Sequence, residues 1–274
     1  MFLAHKNEIE NNQYKPLTQF NNKSVLVKTQ DIKLISNVCP HQKSLLATSS
    51  GEGARVCPYH GWSFDIEGNP LGSGLAACKN LKPLETNQVY EWNNLLFSQP
   101  VDFPQASFID TSHLKLMETR IDQVKANPKN IMDLFLDVDH IELVHREVYD
   151  QIGMPDIREV DWHFYPWGSL QLVPGPGGYG AAWIAVYPGT MIEWQDGAMF
   201  ITVIQPGSNN VLVYKYRDTR SSDAKWQMNS SIWETAWAQD KSQAELITEF
   251  NQDNLEEAKI HFRTYLSSSS SSSS

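Results

Sequence analysis

The sequence has few cysteines and few basic residues. Only Cys39, Cys57 and Cys78 occur among 274 residues. So small and odd a number excludes a disulfide framework in a chain of this length and predicts a reducing, cytoplasmic location. Against 32 Asp and Glu stand only 22 Lys and Arg, a formal net charge of −10. Because nucleic acids and anionic membranes attract basic surfaces, neither is expected as a partner.

Long apolar segments are also missing. The N-terminal residues show no secretory signal, and the longest stretch without a charged residue, 164–192, contains four prolines and six glycines. These residues exclude one continuous membrane-spanning helix, so we expect a soluble chain. No G-x-G-x-x-G element lies between a strand and a helix, and binding of a nicotinamide or flavin is therefore not predicted.

The pattern of apolar residues and turn residues divides the chain into four stretches. Residues 15–100 are predicted to form short strands separated by glycine turns. Helical spacing of apolar residues follows over 113–149, and strands are expected again over 158–217. A helical pattern over 223–266 completes the chain. We therefore predict an α+β protein whose second half has an antiparallel sheet covered by helices.

The charge distribution supports two domains. Residues 1–100 contain nine basic and eight acidic side chains, whereas 101–274 contain 13 basic and 24 acidic ones. We predict an all-β domain over 1–100 and an α+β domain over 101–266. The eight serines of 267–274 cannot bury apolar surface, so they are predicted to be a disordered tail.

Two mixed Cys/His pairs form the first chemical pattern. Cys39-Pro-His41 is followed after fifteen residues by Cys57-Pro-Tyr-His60-Gly-Trp62. Such a set allows three interpretations: buried core side chains, a structural zinc site, or a [2Fe–2S] cluster with two thiolate and two imidazole ligands. Zinc sites usually pair like ligands on each arm, which disfavours zinc here. Cys78 lies outside the pattern and is interpreted as a buried structural thiol.

A second pattern lies in the predicted helical stretch. Asp137, His140 and His145 supply two imidazoles and a nearby carboxylate, the parts of a 2-His-1-carboxylate iron(II) site. On a regular helix, however, the two histidines would point about 140° apart. They can meet at one ion only if the helix breaks or bulges between them, so we predict an irregularity there.

Together the two patterns resemble those of the Rieske non-heme iron oxygenases, the α subunits of ring-hydroxylating and demethylating enzymes. The first matches C-x-H…C-x2-H-G-W, and the second matches D-x2-H-x4-H. The resemblance covers roughly 15–100 and 115–260. Three positions depart from the family's usual residues without removing a metal ligand: Gln42, Pro128 and Leu134.

The resemblance implies a Rieske [2Fe–2S] cluster and a mononuclear Fe(II). The implied cluster ligands are Cys39, His41, Cys57 and His60. His140 and His145 are the implied iron ligands. The third iron ligand of the family is an aspartate in a downstream helical segment of the type E-D-x4-E. Asp253 is the predicted residue, with Glu249 and Glu256 as alternatives.

The resemblance further implies how such an enzyme works. Its subunits assemble head to tail, here predicted as a homotrimer, and an electron passes from His60 of one subunit through Asp137 of the next to His140. A separate reductase, alone or together with a ferredoxin, supplies the electrons. The reaction would use O2 to hydroxylate or demethylate a small organic substrate, predicted to be aromatic or cyclic.

The substrate pocket and one alternative function complete the expectations. Four residues alternating along probable strands are predicted to line the pocket: Trp183, Tyr187, Met191 and Phe200. The alternative is a Rieske-type electron carrier whose second domain is catalytically degenerate. The two functions differ in iron content, because only the oxygenase would bind a third iron in addition to the two irons of the cluster.

Overall fold

A computed structural model describes residues 1–72, 81–152, 156–247 and 257–271. The chain divides into two compact units: an N-terminal unit, Phe2–Val101, and a C-terminal unit that includes Asp102–Ser274. Cys78 and Asp253, and the alternatives Glu249 and Glu256, lie outside the described residues. No helix among the described residues is long and apolar enough to cross a membrane.

The N-terminal unit is built from short antiparallel strands. Its strands are β1 (Phe2–His5), β2 (Gln13–Pro16), β3 (Ser24–Lys28), β4 (Ile32–Ser36), β5 (Gly51–Glu52), β6 (Arg55–Val56), β7 (Ser63–Phe64), β8 (Pro70–Gly72), β9 (Thr86–Gln88), β10 (Tyr90–Trp92) and β11 (Leu95–Phe97). They form three sheets in the orders β5-β2-β3-β4-β9, β1-β11-β10 and β6-β7-β8. The predicted all-β first half is confirmed.

Both faces of the β3–β4 hairpin are buried, because its side chains alternate between two apolar clusters. Val25 and Val27 pack in a cluster that also contains Phe64 and the buried Cys39 and Cys57. Leu26 and Leu34 face the other way, into a cluster with residues of β1 and β11. The two cysteines are therefore fixed by the core of the unit.

The C-terminal unit contains one large antiparallel sheet and five helices among its described residues. Its elements are β12 (Leu114–Gln123), α1 (Pro128–Phe135), α2 (Ile141–Val144), α3 (Arg146–Ile152), β13 (Asp161–Tyr165), β14 (Gly168–Gly175), β15 (Gly178–Val186), β16 (Thr190–Gln195), β17 (Ala198–Ile204), β18 (Asn210–Asp218), α4 (Asp223–Leu246) and α5 (Glu257–Ser271). The sheet order is β12-β18-β17-β16-β15-β14-β13. The predicted α+β fold is confirmed.

One strand was missed by the helical prediction over 113–149. Residues 114–123 form β12, which pairs with β18 at the edge of the sheet. Its hydrophobic pattern is inverted: Met117 and Ile121 are 45% and 50% exposed, whereas Glu118 and Arg120 lie on the half-buried side. Because strand prediction relies on apolar residues facing inward, this alternation carries no strand signal.

The charged side of β12 holds α4 against the sheet. Arg120 donates to Glu234, whose Oε2 lies 2.9 Å from Nη2 of the arginine. The indole nitrogen of Trp237 donates to Asp122 at 2.7 Å. Lys241 bonds the same carboxylate at 3.1 Å. These contacts fix the orientation of α4 about its axis and so determine which of its side chains face the sheet.

The serine tract differs in part from its predicted disorder. Helix α5 continues through Ser271. The hydroxyls of Ser267 and Ser268 donate to the carbonyls of Thr264 and Tyr265 at 2.9 and 2.8 Å. The helix is nucleated by residues such as Phe262 that pack into the core, and extending an existing helix costs less than starting one.

Candidate metal centres and substrate cavity

The two Cys/His loops of the N-terminal unit have the same backbone form. In each loop, the backbone N–H four residues after the cysteine donates a hydrogen bond to the carbonyl of that cysteine. The pairs are Lys43 to Cys39 and Gly61 to Cys57, both at 3.0 Å. Lys43 and Gly61 both have a positive φ, 58° and 74°. Glycine adopts this conformation without strain, which explains the residue after His60.

The four side chains of these loops converge in pairs. Nδ1 of His41 lies 3.1 Å from Nδ1 of His60, and the thiols of Cys39 and Cys57 are hydrogen-bond neighbours. Two nitrogens bound at about 2.1 Å to one tetrahedral iron lie about 3.4 Å apart, so the imidazole pair fits one iron and the thiol pair the other. The residues present thus fit a Rieske cluster.

The electrostatics of the two thiols differ. Burial raises the pKa of Cys39. Burial acts in the same direction on Cys57, but the backbone N–H groups of Tyr59 and His60 outweigh it and lower the pKa of this thiol. Such N–H groups stabilise a thiolate and the sulfur atoms of a cluster.

The imidazoles lie towards the solvent while the sulfurs are buried. His41 is exposed and stacks on Trp62 with ring centroids 4.6 Å apart, and the ring of Tyr59 lies 4.0 Å from that of His60. The histidine side of the site is therefore the side from which an electron can leave the N-terminal unit.

The second centre lies in the C-terminal unit, where the predicted helix irregularity is found. His140 precedes α2, and the helix ends after four residues at His145, whose backbone is not helical (φ −102°, ψ 13°). Helix α3 then begins at Arg146. The break turns both imidazoles towards Asp240 on α4, and the three form a group able to hold a metal ion.

The donor atoms of this group form a nearly equilateral triangle. Nε2 of His140 lies 3.1 Å from Nε2 of His145, and the two nitrogens lie 3.2 and 3.0 Å from Oδ1 of Asp240. Ligands at about 2.1 Å that meet at right angles on an ion are about 3.0 Å apart. The three residues thus fit one face of an octahedral ion and leave the opposite face open.

Both imidazoles are held in the tautomer that a metal ligand needs. Nδ1 of His140 donates to the backbone carbonyl of Asp137. Nδ1 of His145 donates to Oε1 of Gln239 at 2.9 Å. Each bond occupies Nδ1 with the proton and leaves the lone pair on Nε2, which points into the centre.

The charges of the centre also suit a cation. Burial would raise the pKa of Asp240, yet hydrogen bonds to His140 and His145 hold it below the usual range. Burial likewise opposes protonation of His145, but the Asp240 bond prevails and raises the pKa of that imidazole. An ionised, half-buried carboxylate that raises the pKa of His145 is equally able to attract a divalent ion.

Comparison with known proteins agrees with both centres. The family profile of the Rieske [2Fe-2S] domain matches residues 1–83. Putrescine 2-hydroxylase of Ralstonia nicotianae is 24% identical over 231 residues, which are 70% of this chain and 62% of that protein. The carnitine monooxygenase oxygenase subunit of Escherichia coli is 27% identical over 191 residues, 59% of this chain and 48% of that protein. Residues 1–83 are thus a Rieske domain, and the chain is similar to Rieske oxygenase subunits over most of its length.

The fold of the chain is shared by solved structures. The quaternary ammonium Rieske monooxygenase CntA superposes with a TM-score of 0.73 at 16% identity, over 98% of this chain and 88% of that one. The curated relatives are longer, since this chain spans 62% and 48% of the two proteins named above. The cofactors of the family, a Rieske cluster and a mononuclear iron, are those that the two donor sets fit.

Among the residues that the structure describes, Asp240 is the carboxylate beside the histidines, whereas the predicted Asp253 lies outside the described residues. A signal for it was present in the sequence. Asp240 and Glu245 have the D-x4-E spacing of the family's segment, with Gln239 in place of the first acidic residue. Asp253 is not followed by an acidic residue at that spacing.

The carboxylate of Asp137 has a partner that the sequence did not predict. Its Oδ2 accepts from Nζ of Lys259 on α5 at 2.8 Å, and only 9% of the lysine side chain is exposed. Its Oδ1 accepts from the backbone N–H groups of Asp139 and His140 at 3.0 and 3.3 Å. Asp137 is thereby fixed in the turn immediately before His140.

A cavity of about 50 Å³ opens onto the three donor atoms. Of the four predicted pocket residues, Trp183 lines it, while Tyr187, Met191 and Phe200 lie in the hydrophobic core. All four project from the same face of the sheet, but α5 covers Tyr187 and tryptophans of α4 cover Phe200. The positions of α4 and α5 therefore determine which side chains on this face of the sheet line the cavity.

The remaining cavity wall combines apolar and acidic groups. Besides Trp183 it contains the carboxylates of Asp137 and Glu193, the phenol of Tyr149, and aliphatic or aromatic side chains of Phe135, Val138, Ile141 and Ala236. Burial raises the pKa of Glu193 to about 7. Burial also raises the pKa of Tyr149, which is therefore neutral at ordinary pH. Neither Glu193 nor Tyr149 was predicted from the sequence.

Replacement of Gln239 by leucine tests the orientation of His145. The Gln239→Leu variant removes the acceptor for Nδ1 but keeps the side-chain volume, and we expect iron affinity to fall about 10- to 100-fold. Iron(II) titration of the apo centre measures the change. Gln227→Leu, on the exposed side of the same helix, is the control and should bind iron as the parent chain does. Equal affinities in the two variants would contradict the role of Gln239.

Proposed function

We propose that this chain is an oxygenase component that uses O2 to hydroxylate or oxidatively demethylate a small organic substrate. The observation that carries the proposal is the convergence of His140, His145 and Asp240 on a cavity, with one face of the triad open towards it. When bound, the iron supplies the oxygen-activating chemistry. A degenerate second domain, as in a pure electron carrier, would have no reason to keep this geometry.

Different residues of the chain would bind the metal, exclude water and carry electrons. His140, His145 and Asp240 hold the metal from one side, and the apolar cavity wall excludes bulk water from the other. Electrons enter at the cluster held by Cys39 and Cys57 with the two histidines. They leave through His60 towards Asp137 of a neighbouring subunit, which contacts His140 through its backbone carbonyl.

This route requires other copies and other proteins. A head-to-tail ring, of which a homotrimer is the proposed form, brings His60 of one subunit to Asp137 of the next. A separate reductase, alone or together with a ferredoxin, is the proposed electron source. The substrate need not be aromatic or cyclic as the sequence suggested, because the names of the relatives refer to putrescine and carnitine, which are acyclic.

Metal content tests the proposal against the electron-carrier alternative. Chain purified without oxygen should contain about three irons and two labile sulfides, since the cluster accounts for two irons and the triad for one. The third iron(II) should bind nitric oxide and give an electron paramagnetic resonance signal. After chemical reduction and exposure to ¹⁸O2, the product should carry the label. Two irons without a nitric oxide signal would favour the carrier.

A further inference from the structure

Glu193 is a carboxylate in an apolar row of the sheet. It lies on β16, and its register partners are Trp183 on β15 and Phe200 on β17. The core of this sheet face is otherwise built largely from aliphatic and aromatic side chains. A glutamate at this position gains nothing from hydrophobic burial, so another interaction must explain its presence.

The protein itself compensates the charge of Glu193 only in part. Its Oε1 accepts a hydrogen bond from the indole nitrogen of Trp233 on α4 at 2.8 Å. Within the described parts of the chain, no lysine or arginine forms a salt bridge with it. One neutral hydrogen bond does not offset the cost of removing a carboxylate from water, even where the side chain is half-buried as it is here.

The iron centre does not take up Glu193 as a ligand. The donor atoms that converge are those of His140, His145 and Asp240, and the glutamate is not part of that group. It nevertheless lines the same cavity as the triad, together with the aromatic rings of Trp183 and Tyr149. No lysine or arginine is among the described residues that line this cavity.

We infer that Glu193 binds a protonated amino group of the substrate, which makes the substrate a small alkylamine. The carboxylate accepts hydrogen bonds from the ammonium N–H groups, and Trp183 and Tyr149 cover the adjacent carbon atoms and attract the cation through their ring faces. This arrangement places the alkyl chain between Glu193 and the metal triad. The inference rests on the proposed function and specifies its substrate class.

The glutamate favours amines over fully substituted cations. A quaternary ammonium group has no N–H to donate, so it would gain the charge attraction and the aromatic rings but no hydrogen bond to the free oxygen of the glutamate. Glu193 therefore discriminates between the two kinds of cation.

Binding measurements test the inference without relying on turnover. Calorimetric titrations of the anaerobic holoprotein use primary alkylamines of increasing length, including putrescine, and the matched alcohols, including butane-1,4-diol. Amines should bind the parent chain and alcohols should bind much more weakly. The Glu193→Gln variant keeps the acceptor for Trp233 but loses the charge, and amine affinity should fall about 30- to 100-fold.

A matched control separates the local effect from general electrostatics. Glu159→Gln makes the same charge change at an exposed residue and should leave amine affinity unchanged. Iron content and the nitric oxide signal of Glu193→Gln should equal those of the parent, which confirms that the centre is intact. L-carnitine should bind the parent more weakly than putrescine does, and it should lose less affinity than putrescine in Glu193→Gln because it has no hydrogen bond to lose.

Several outcomes would overturn the inference. Binding of no amine by the parent, equal amine binding by Glu193→Gln, or alcohols binding as tightly as amines would each do so. Normal amine binding with lost turnover would instead assign Glu193 a role in proton supply. If Glu193-dependent amine binding is found but no labelled product forms, the proposed oxygenase function fails while this inference stands. If labelled product forms only from neutral substrates, the proposed oxygenase function stands and this inference fails.

Discussion

The Asp240→Ala variant is expected to keep the Rieske cluster and lose the mononuclear iron. Its iron content should fall from about three to about two per chain while labile sulfide stays unchanged. Loss of partners outside the ligand shell typically costs about 10- to 100-fold in metal affinity, so loss of a ligand should cost more than about 100-fold. Product formation should fall to background. Metal analysis, the nitric oxide signal and single-turnover product formation measure these effects.

The physical reason lies in the charge balance of the triad. Asp240 is the only anionic member of the group of three, and its Oδ1 lies 3.0 to 3.2 Å from both histidine nitrogens. Alanine removes both the ligand atom and the negative charge that compensates the ion. Two neutral imidazoles alone leave an open, poorly compensated site.

Asp253→Ala is the natural comparison, because Asp253 was the carboxylate predicted from the sequence. We expect this variant to keep all three irons and to turn over normally. The opposite pattern, with iron lost from Asp253→Ala and kept by Asp240→Ala, would restore Asp253 as the ligand. The pair of variants therefore decides between the two assignments in one experiment.

The Asp137→Asn variant is expected to keep both metal centres and lose turnover. Asparagine preserves the Oδ1 acceptor for the N–H groups of Asp139 and His140, so the turn before the first iron ligand should survive. The variant loses the charge through which the proposed electron path runs. Turnover should fall about 100-fold or more, the scale seen when a group needed only in the reaction step is removed.

The ion pair between Asp137 and Lys259 calls for a control. Asparagine also breaks this mostly buried pair, and breaking such pairs can destabilise a fold. Lys259→Met breaks the same pair but keeps the carboxylate, so it should retain turnover within about tenfold. Reoxidation of the reduced cluster by O2 with substrate, followed by stopped flow, should be slow only in Asp137→Asn. Normal reoxidation in that variant would refute the proposed path.

The N-terminal half of the site was predictable because its ligands are close together in the sequence. Each loop carries one cysteine and one histidine within four residues, and a tight turn leaves little freedom for their placement. Gly61 marks one of these turns by its positive φ. Local sequence therefore determines both the ligand set and most of its geometry.

The second centre was only partly predictable. His140 and His145 are five residues apart, and their divergence on a regular helix correctly required a break. Asp240, the carboxylate that lies beside them, is a hundred residues away in sequence from His140, and several carboxylates on the last helices had comparable local surroundings. Which one meets the histidines depends on how α4 is rotated against the sheet, and the contacts of Trp237 and Arg120 with distant partners fix that rotation.

The sequence by itself predicted the resemblance to Rieske oxygenases, the two ligand patterns and the division into an all-β and an α+β half. These features depend on short motifs and on the local period of apolar residues. The tertiary structure decided the position of Asp240 beside the two histidines, the strand character of β12 and the position of Glu193 in the cavity. Each of these depends on polar side chains whose partners lie far away in the chain, and local patterns do not encode such partners.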